Sequence, residues 1–163
     1  MNRDSTVNAT HHPRGKYFED FELGAEYVTP SRTITSTDIV NFACISGDFN
    51  EIHTNFEYCK GTPFGEPIAH GPLIYAIGGG LWYAAGVNEG TILALLGVDE
   101  WRMTSPVKHG DTIHLVARVV DKKETRNPDR GVVAFDRRIV NQVGTVVQTM
   151  KTTLMYRRRP TQA

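Results

Sequence analysis

The chain has 163 residues, of which 40% are hydrophobic and 22% are charged. These values are typical of one globular domain that can bury a sizeable core. Its 18 basic and 18 acidic side chains cancel, so no excess of positive charge indicates a nucleic-acid-binding surface. No apolar run is long enough to cross a membrane as a helix. The sequence therefore predicts neither a nucleic-acid partner nor a membrane partner.

Residues 1–15 are polar and lack apolar periodicity, which predicts a flexible N-terminal arm ahead of a single domain over 16–163. The arm does not have the pattern of a signal peptide. The two cysteines, Cys44 and Cys59, have the spacing of neither a disulfide framework nor a metal site. A reducing, cytoplasmic setting is expected. Cys44 falls near an apolar helix face and is interpreted as a buried structural thiol.

The first regular elements lie around residues 27–35, which alternate and are rich in β-branched side chains. This pattern predicts a strand or a ragged sheet edge. Thr35 or Ser36 then begins a helix, and Gly47 ends it. Asp48 is therefore expected just beyond a helix C-terminus, at the head of a loop.

The next stretch, residues 49–66, is a long connection, and loops of this length in a compact domain are usually functional. Pro72 fits the first turn of the following helix, which is predicted to run to about Ala85. That helix is apolar nearly all round, so we expect it inside the fold. Its three successive glycines, 78–80, are interpreted as tight packing against a sheet.

The remainder of the chain reads as strands joined mostly by short turns. Consecutive hairpins favour an antiparallel sheet. One buried helix with five or six strands predicts an α+β fold, in which a curved antiparallel sheet surrounds the helix. The predicted strand segments are 91–96, 100–106, 111–121, 131–141 and 145–156.

Asp48, Asn50 and His53 fall within one short segment. A carboxylate and an imidazole this close can exchange a proton with a shared water molecule. The same residue types also occur in loops that only hydrogen-bond their own backbone, and the segment alone favours that structural interpretation. Gly71 stands where the long helix begins. Free N–H groups and the helix dipole suit a developing negative charge there.

Two motifs carry a resemblance to a known family. GDFNEIH at 47–53, followed by PIAHG at 67–71, resembles the hydratase motif of the MaoC-like, (R)-specific enoyl-CoA hydratase family. The resemblance extends from about Phe18 to Tyr156 and implies the hot-dog fold. It reverses the structural interpretation of the first motif. One position differs, because Glu51 stands where the family usually has proline, and we expect this to loosen the turn.

The resemblance implies an enzyme that adds water to a trans-2-enoyl-CoA thioester, or removes water from a 3-hydroxyacyl-CoA, with an (R) product. Asp48 is then the expected carboxylate base, His53 its proton-sharing partner and Gly71 the backbone donor to the thioester oxygen. Asn50 is expected to orient the loop or a water, and His70 to orient the loop. The implied enzyme uses no metal and no redox cofactor, and coenzyme A enters as part of the substrate.

Tyr75 and Gly79, four residues apart on one helix face, are expected to line the acyl pocket. Room for an acyl chain is thus the alternative to packing for the glycines. The protein is expected to be at least a homodimer joined edge to edge. The arginines at 157–159 are interpreted as a solvated end, with coenzyme A phosphates as the alternative partner. Two other classes stay open: a hot-dog acyl-CoA thioesterase and a non-catalytic acyl-CoA-binding module.

Overall fold

The computed structural model describes residues 14–160. The predicted flexible arm, 1–15, therefore lies almost entirely outside the described residues. Its last two residues are held against Glu89. The Gly15 N–H donates to the Glu89 carbonyl at 2.8 Å, and the Arg14 guanidinium pairs with the Glu89 carboxylate at 2.9 Å.

Helices occupy the first half of the described chain and long strands the second half. In this part of the chain, no helix combines the length and the apolar character that crossing a membrane requires. In chain order the elements are a 3₁₀ turn (Phe18–Asp20), β1 (Glu26–Val28), β2 (Arg32–Thr33), α1 (Ser36–Ser46), α2 (Glu51–Thr54), α3 (Phe56–Cys59), α4 (Gly71–Ala84), β3 (Ile92–Met103), β4 (Thr112–Glu124), β5 (Arg130–Asn141) and β6 (Val146–Arg157).

The strands form one antiparallel sheet in the order β1-β4-β5-β6-β3, with β2 also paired to β4. Only β4, β5 and β6 make a consecutive meander, because β3 crosses to the far edge and pairs with β6. The predicted segments 91–96 and 100–106 are a single strand, β3, whose pairing with β6 is interrupted by bulges. Bulges break the alternation of side chains, which explains why the sequence pattern divided this strand in two.

Helix α4 packs against the concave face of the sheet, and the core lies between them. The predicted α+β hot-dog fold is thereby confirmed. A Cβ on Gly78 would lie 2.9 Å from Ile139 Cδ1, so this glycine lets the helix approach β5. The packing interpretation does not extend to Gly79 and Gly80, whose added Cβ atoms would meet no described residue within 4 Å.

Helix α4 is not buried on all sides, contrary to the sequence interpretation. Ala76, Gly79, Gly80 and Tyr83 form an exposed face, on which Tyr83 is 62% exposed. The sheet covers only one side of the helix, and the small residues that made the sequence look uniformly apolar lie on the other side.

The ends of α1 agree with the sequence prediction. Thr35 and Asp38 form a capping box, in which the Thr35 hydroxyl accepts from the Asp38 amide at 3.2 Å. The Asp38 carboxylate accepts from the Thr35 amide at 2.9 Å. Gly47 has a φ of 77° and ends the helix in the left-handed region, which glycine adopts without steric cost. Asp48 thus lies one residue beyond the helix.

The prediction for Cys44 is wrong, because this thiol is exposed. Helix α1 lies on the surface and buries only Ile39 and Ala43, so the residues that follow Ala43 turn outwards. Ile45 lies in the same outward-turned segment and is 84% exposed. The buried thiol is Cys59 instead.

The arginines at the end of β6 are not simply solvated. Arg158 pairs with Glu19 at 2.8 Å, and Arg159 pairs with Asp20 at 2.6 Å. These ion pairs join the end of β6 to the 3₁₀ turn near the start of the described chain.

Candidate active site

The segment from Asp48 to His53 is shaped by short-range hydrogen bonds. Asn50 caps α2, and its Oδ1 accepts from the Ile52 amide at 3.3 Å. The backbone N–H of Asn50 donates to Asp48 Oδ1 at 3.2 Å. Asn50 therefore fixes the start of α2 through its side chain and one oxygen of the Asp48 carboxylate through its backbone, and both contacts orient the loop.

Glu51 occupies the first position of α2. Its Oε1 accepts from Asn55 Nδ2 at 3.0 Å, and its carbonyl accepts from the Cys59 thiol at 3.4 Å. The first helical position tolerates proline because its N–H is unpaired within the helix in any case, but it does not require proline. Hydrogen bonds of Glu51 thus hold this turn, and the effect of replacing the family's usual proline stays a prediction.

His53 presents one defined nitrogen to Asp48. Its Nδ1 lies 2.7 Å from the Ile68 carbonyl oxygen, and a carbonyl can only accept, so Nδ1 carries the proton. In the neutral ring Nε2 then holds a lone pair. Nε2 lies 4.0 Å from Asp48 Oδ2, a separation too long for a direct hydrogen bond. The His53 side chain is 14% exposed and that of Asp48 is 53% exposed.

His70 contacts both Asp48 and His53. Its side chain is 2% exposed, and its Nε2 donates to the Asp48 carbonyl at 2.9 Å. Its ring also stacks on that of His53, with centroids 3.7 Å apart and planes inclined by 28°. His70 therefore fixes the backbone at Asp48 and the plane of the His53 ring together.

Gly71 begins α4 beside these side chains. Its amide donates to no partner among residues 14–160. Its carbonyl accepts from Gln148 Nε2 at 2.8 Å. A Cβ on Gly71 would lie 2.6 Å from Met103 Cε, so this site has little room for a side chain. The Gly71 N–H is thus free to bind a ligand at the start of α4, while the Gly71 carbonyl is held by Gln148.

Gln148 is the supporting residue that the sequence analysis missed. It is 2% exposed, and besides donating to Gly71 it accepts from Trp101 Nε1 at 3.1 Å. The only signal in the sequence was a polar residue in the alternating pattern of the last strand. That signal indicates burial without indicating the partner.

His53, Gly71 and Gln148 line one cavity of about 310 Å³, together with apolar side chains that include Ile68 and Ile74. This volume is within the range of small-molecule sites. Asp48 does not form part of the cavity wall and lies beside it. The cavity therefore brings the imidazole and the free N–H group of α4 to one space.

Tyr75 and Gly79 do not line this cavity. Tyr75 packs on the Trp101 ring with a centroid distance of 5.2 Å, and Gly79 opens outwards. Tyr75 is half-buried, whereas Gly79 belongs to the exposed face of α4. Their role towards an acyl chain stays a prediction.

Asp48, His53 and His70 also have the spacing of a metal site, because one ligand atom from each lies within 4.8 Å of the other two. Nε2 of His70, however, points a proton at the Asp48 carbonyl. In this arrangement that nitrogen has no lone pair for a cation. The hydrogen bonds suit proton transfer better than metal ligation.

A family model described as a MaoC like domain matches residues 20–140, and the chain belongs to this family. Protein MaoC of Klebsiella aerogenes is 40% identical over 114 residues, which are 70% of this chain and 33% of that protein. The chain thus spans about a third of the length of that curated relative.

Two solved structures share the fold along nearly their whole length. R-hydratase PhaJ1 from Pseudomonas aeruginosa is 30% identical with a TM-score of 0.69, covering 90% of this chain and 91% of that one. A monoamine oxidase regulatory protein from Archaeoglobus fulgius is 34% identical with a TM-score of 0.80, covering 90% and 97%.

Proposed function

We propose that this protein is a hydro-lyase that adds water to the double bond of a trans-2-enoyl-CoA thioester, or catalyses the reverse dehydration. The observation that carries the proposal is the lone pair of His53 Nε2 facing the Asp48 carboxylate beside the free amide of Gly71. The similarity to an R-hydratase supports the reaction type and the (R) configuration of the product.

In the proposed reaction a water molecule lies between Asp48 Oδ2 and His53 Nε2. Its oxygen bonds to the β-carbon of the enoyl group while Asp48, sharing the proton with His53, takes one hydrogen. The electron pair of the double bond moves towards the thioester oxygen, which accepts from the Gly71 amide. The proton then returns to the α-carbon, which gives the 3-hydroxyacyl thioester and regenerates the pair.

The remaining residues have supporting roles in this proposal. Asn50 and His70 position the loop that carries Asp48. Tyr75 and Gly79 line the path of the acyl chain along α4. The reaction uses no metal and no redox cofactor, and coenzyme A enters only as part of the substrate. Two free cysteines support a cytoplasmic location.

The proposed assembly is a homodimer joined through β3. This strand lies at an edge of the sheet, and Leu93, Leu95 and Leu96 on it are 39%, 51% and 50% exposed. A long apolar edge strand requires a partner or a cover. Sedimentation equilibrium at micromolar concentration tests the assembly, and a clean monomer mass would contradict it.

The activity is tested by incubating the protein with crotonyl-CoA and longer or branched enoyl-CoA thioesters and following the loss of enoyl absorbance. We expect hydration that a chelator such as EDTA leaves unchanged. Release of free thiol without loss of the double bond would instead identify a thioesterase. Tight binding in calorimetry with no turnover of any substrate would identify a binding module.

A further inference from the structure

Arg137 is a buried cation without an anionic partner among residues 14–160. It lies on β5 between the inward-facing Phe135 and Ile139 and is only 6% exposed. Its Nε and Nη2 atoms are buried and have no hydrogen-bond partner among residues 14–160. Within the same residues it forms no ion pair, unlike Arg138 next to it, which binds Glu26 on the outer face. Burying an unpaired charge is costly, so such groups are normally paired.

A second polar group without a partner among the described residues lies on the same face of the sheet. Thr152 on β6 is fully buried, and its Oγ1 has no partner among the described residues. Thr152 pairs with Phe135, and Arg137 pairs with Met150, in the β5–β6 register. Arg137 and Thr152 are therefore diagonal neighbours on one face of adjacent strands, within reach of a common ligand.

The chain itself compensates Arg137 only in part. The guanidinium lies 4.8 Å from the centroid of the Trp82 ring and 5.4 Å from that of Phe135, and such contacts favour a cation. Burial nevertheless lowers the pKa of Arg137 to about 10. The neighbouring Tyr156 supplies no anion, because burial raises the pKa of its hydroxyl to about 12.

The position of Arg137 indicates what the missing partner is. β5 is the middle strand of the sheet, so a second copy added at an edge strand would not reach its inner face. Arg137 lies against the side of α4 that carries Tyr75 and Trp82. Tyr75 and Trp82 lie four and eleven residues from Gly71, about 6 and 16 Å along the helix axis. An acyl chain of medium length whose thioester lies at Gly71 can extend along this side of the helix towards the guanidinium.

We propose that Arg137, assisted by Thr152, binds a carboxylate at the far end of the acyl group, so that the substrate is the coenzyme A monothioester of an unsaturated dicarboxylic acid. This inference rests on the proposed function, since it assumes that the thioester lies at Gly71. Arginine suits the task because its planar guanidinium can bind both oxygens of a carboxylate.

The test measures binding by calorimetry, which requires no turnover. The probes are saturated monothioesters of hexanedioic, octanedioic and decanedioic acid with coenzyme A, each compared with the monocarboxylic acyl-CoA of equal chain length. For at least one length we expect the unmodified protein to bind the dicarboxylic form roughly 10–100-fold more tightly, as a charged hydrogen bond in a buried site provides. Equal or weaker binding of the dicarboxylic form at every length would overturn the proposal.

Three variants locate the effect. Arg137→Met should abolish the preference, so that the dicarboxylic and monocarboxylic probes of each length bind equally. Arg137→Lys should retain part of the preference, and Thr152→Val, which keeps the shape of the side chain, should reduce it several-fold. A preference that survives in folded Arg137→Met would show that another group binds the carboxylate.

A thermal melt without ligand gives an independent readout. If Arg137 awaits a ligand, Arg137→Met removes an uncompensated buried charge, and its melting temperature should equal or exceed that of the unmodified protein. A clear loss of stability would show that Arg137 serves the fold and would overturn the proposal. Hydration of uncharged enoyl-CoA without any preference for a carboxylate would reject this inference while leaving the proposed function intact.

Discussion

Two polar regions flank α4, and they are built in opposite ways. In the loop around Asp48 and His53, hydrogen bonds within the chain fix the Asn50 backbone, Nδ1 of His53 and Nε2 of His70. The buried Nδ1 of His70 has no partner among residues 14–160, and the Asp48 carboxylate is half exposed. On the inner face of the sheet, Arg137 is buried, and two of its nitrogens have no partner among the same residues. The first region is held mostly by the chain's own hydrogen bonds, which suits groups that must act repeatedly on a water molecule. The second lacks a partner for its charge within the described chain, which suits recognition of a ligand.

The largest effect expected on the loop side concerns Asp48 and His53. Asp48→Asn and His53→Gln should each lower turnover of an enoyl-CoA about 100-fold or more, because each removes one member of the proton-transfer pair. The double variant should be little worse than either single one, since residues that act as a unit are not additive. Initial rates of hydration measure this.

Circular dichroism and melting curves of these variants provide the control for folding. Folded single variants that hydrate every tested enoyl-CoA at a near-normal rate would leave Asp48 and His53 as loop structure. The contrast between an acting region and a recognising region would then be lost.

Gln148 is a buried polar residue on the inner face that, unlike Arg137, has hydrogen-bond partners for both its amide oxygen and its amide nitrogen. Gln148→Leu leaves the Gly71 carbonyl and the Trp101 indole without their partner, which should cost about 1–3 kcal/mol of unfolding free energy. Chemical denaturation measures this. Arg137→Met, one strand away, is the matched comparison and should show no such loss. Equal destabilisation of both variants would mean that Arg137, like Gln148, stabilises the fold.

Two adjacent glycines of α4 differ in their surroundings, because Gly78 packs against the sheet and Gly79 does not. Gly78→Ala should destabilise the protein by about 1 kcal/mol or more, because the new methyl group meets Ile139. Gly79→Ala should stabilise it by up to about 1 kcal/mol, since alanine is the better helix former and no described residue lies near. Melting temperatures of the pair measure the contrast.

Gly79→Leu carries the functional part of this prediction. If Gly79 lines the acyl path, the variant should hydrate short enoyl-CoA substrates normally and lose the longer ones. An equal loss at all chain lengths would mean that the glycine has no part in chain-length selection.

The smallest expected effect lies at the start of α1, which supports the Asp48 loop from its other end. Burial alone would raise the pKa of Asp38, but hydrogen bonds from Thr35 and the nearby charge of Arg32 outweigh it and hold this pKa below its ordinary value. A carboxyl with a depressed pKa in the folded state stabilises the fold above its ordinary pKa and loses that contribution as pH falls through the folded value. Asp38→Asn should cost up to about 1 kcal/mol at neutral pH and almost nothing in acid. Urea titrations at pH 7 and pH 3 test this, and a pH-independent difference would contradict it.

Much of the loop region could be predicted from the sequence, because its determinants are local. Gly47, Asp48 and Asn50 act on neighbours within a few residues, so their spacing predicts the end of α1 and the orientation of the loop. His70 lies further along the chain, and its link to Asp48 came only from the resemblance to a family motif.

The inner face could not be predicted in the same way. The burial of Arg137 depends on the register between β5 and β6, which brings Met150 opposite it and Thr152 diagonal to it. Its lack of a partner arises because none of the described elements packed around it supplies a carboxylate or another hydrogen-bond acceptor. The alternation along β5 places Arg137 on the same face as Phe135 and Ile139 and Arg138 on the opposite face, but no local rule shows that Arg137 finds no anionic partner there. The exposure of Cys44 was mispredicted for a related reason, since the side of α1 that meets the core is set by long-range packing.

The far-edge position of β3 bears on how the chain folds as it is synthesised. Val98 pairs with Thr152, and Leu95 pairs with Leu154, so β3 is synthesised well before β6, the strand with which it pairs. At a synthesis rate of about 5–20 residues per second, the leucines of β3 remain unpaired for several seconds. Throughout that interval they are a target for chaperones and for premature association with neighbouring nascent chains. A slower rate of elongation between β3 and β6 should therefore lower the yield of native protein.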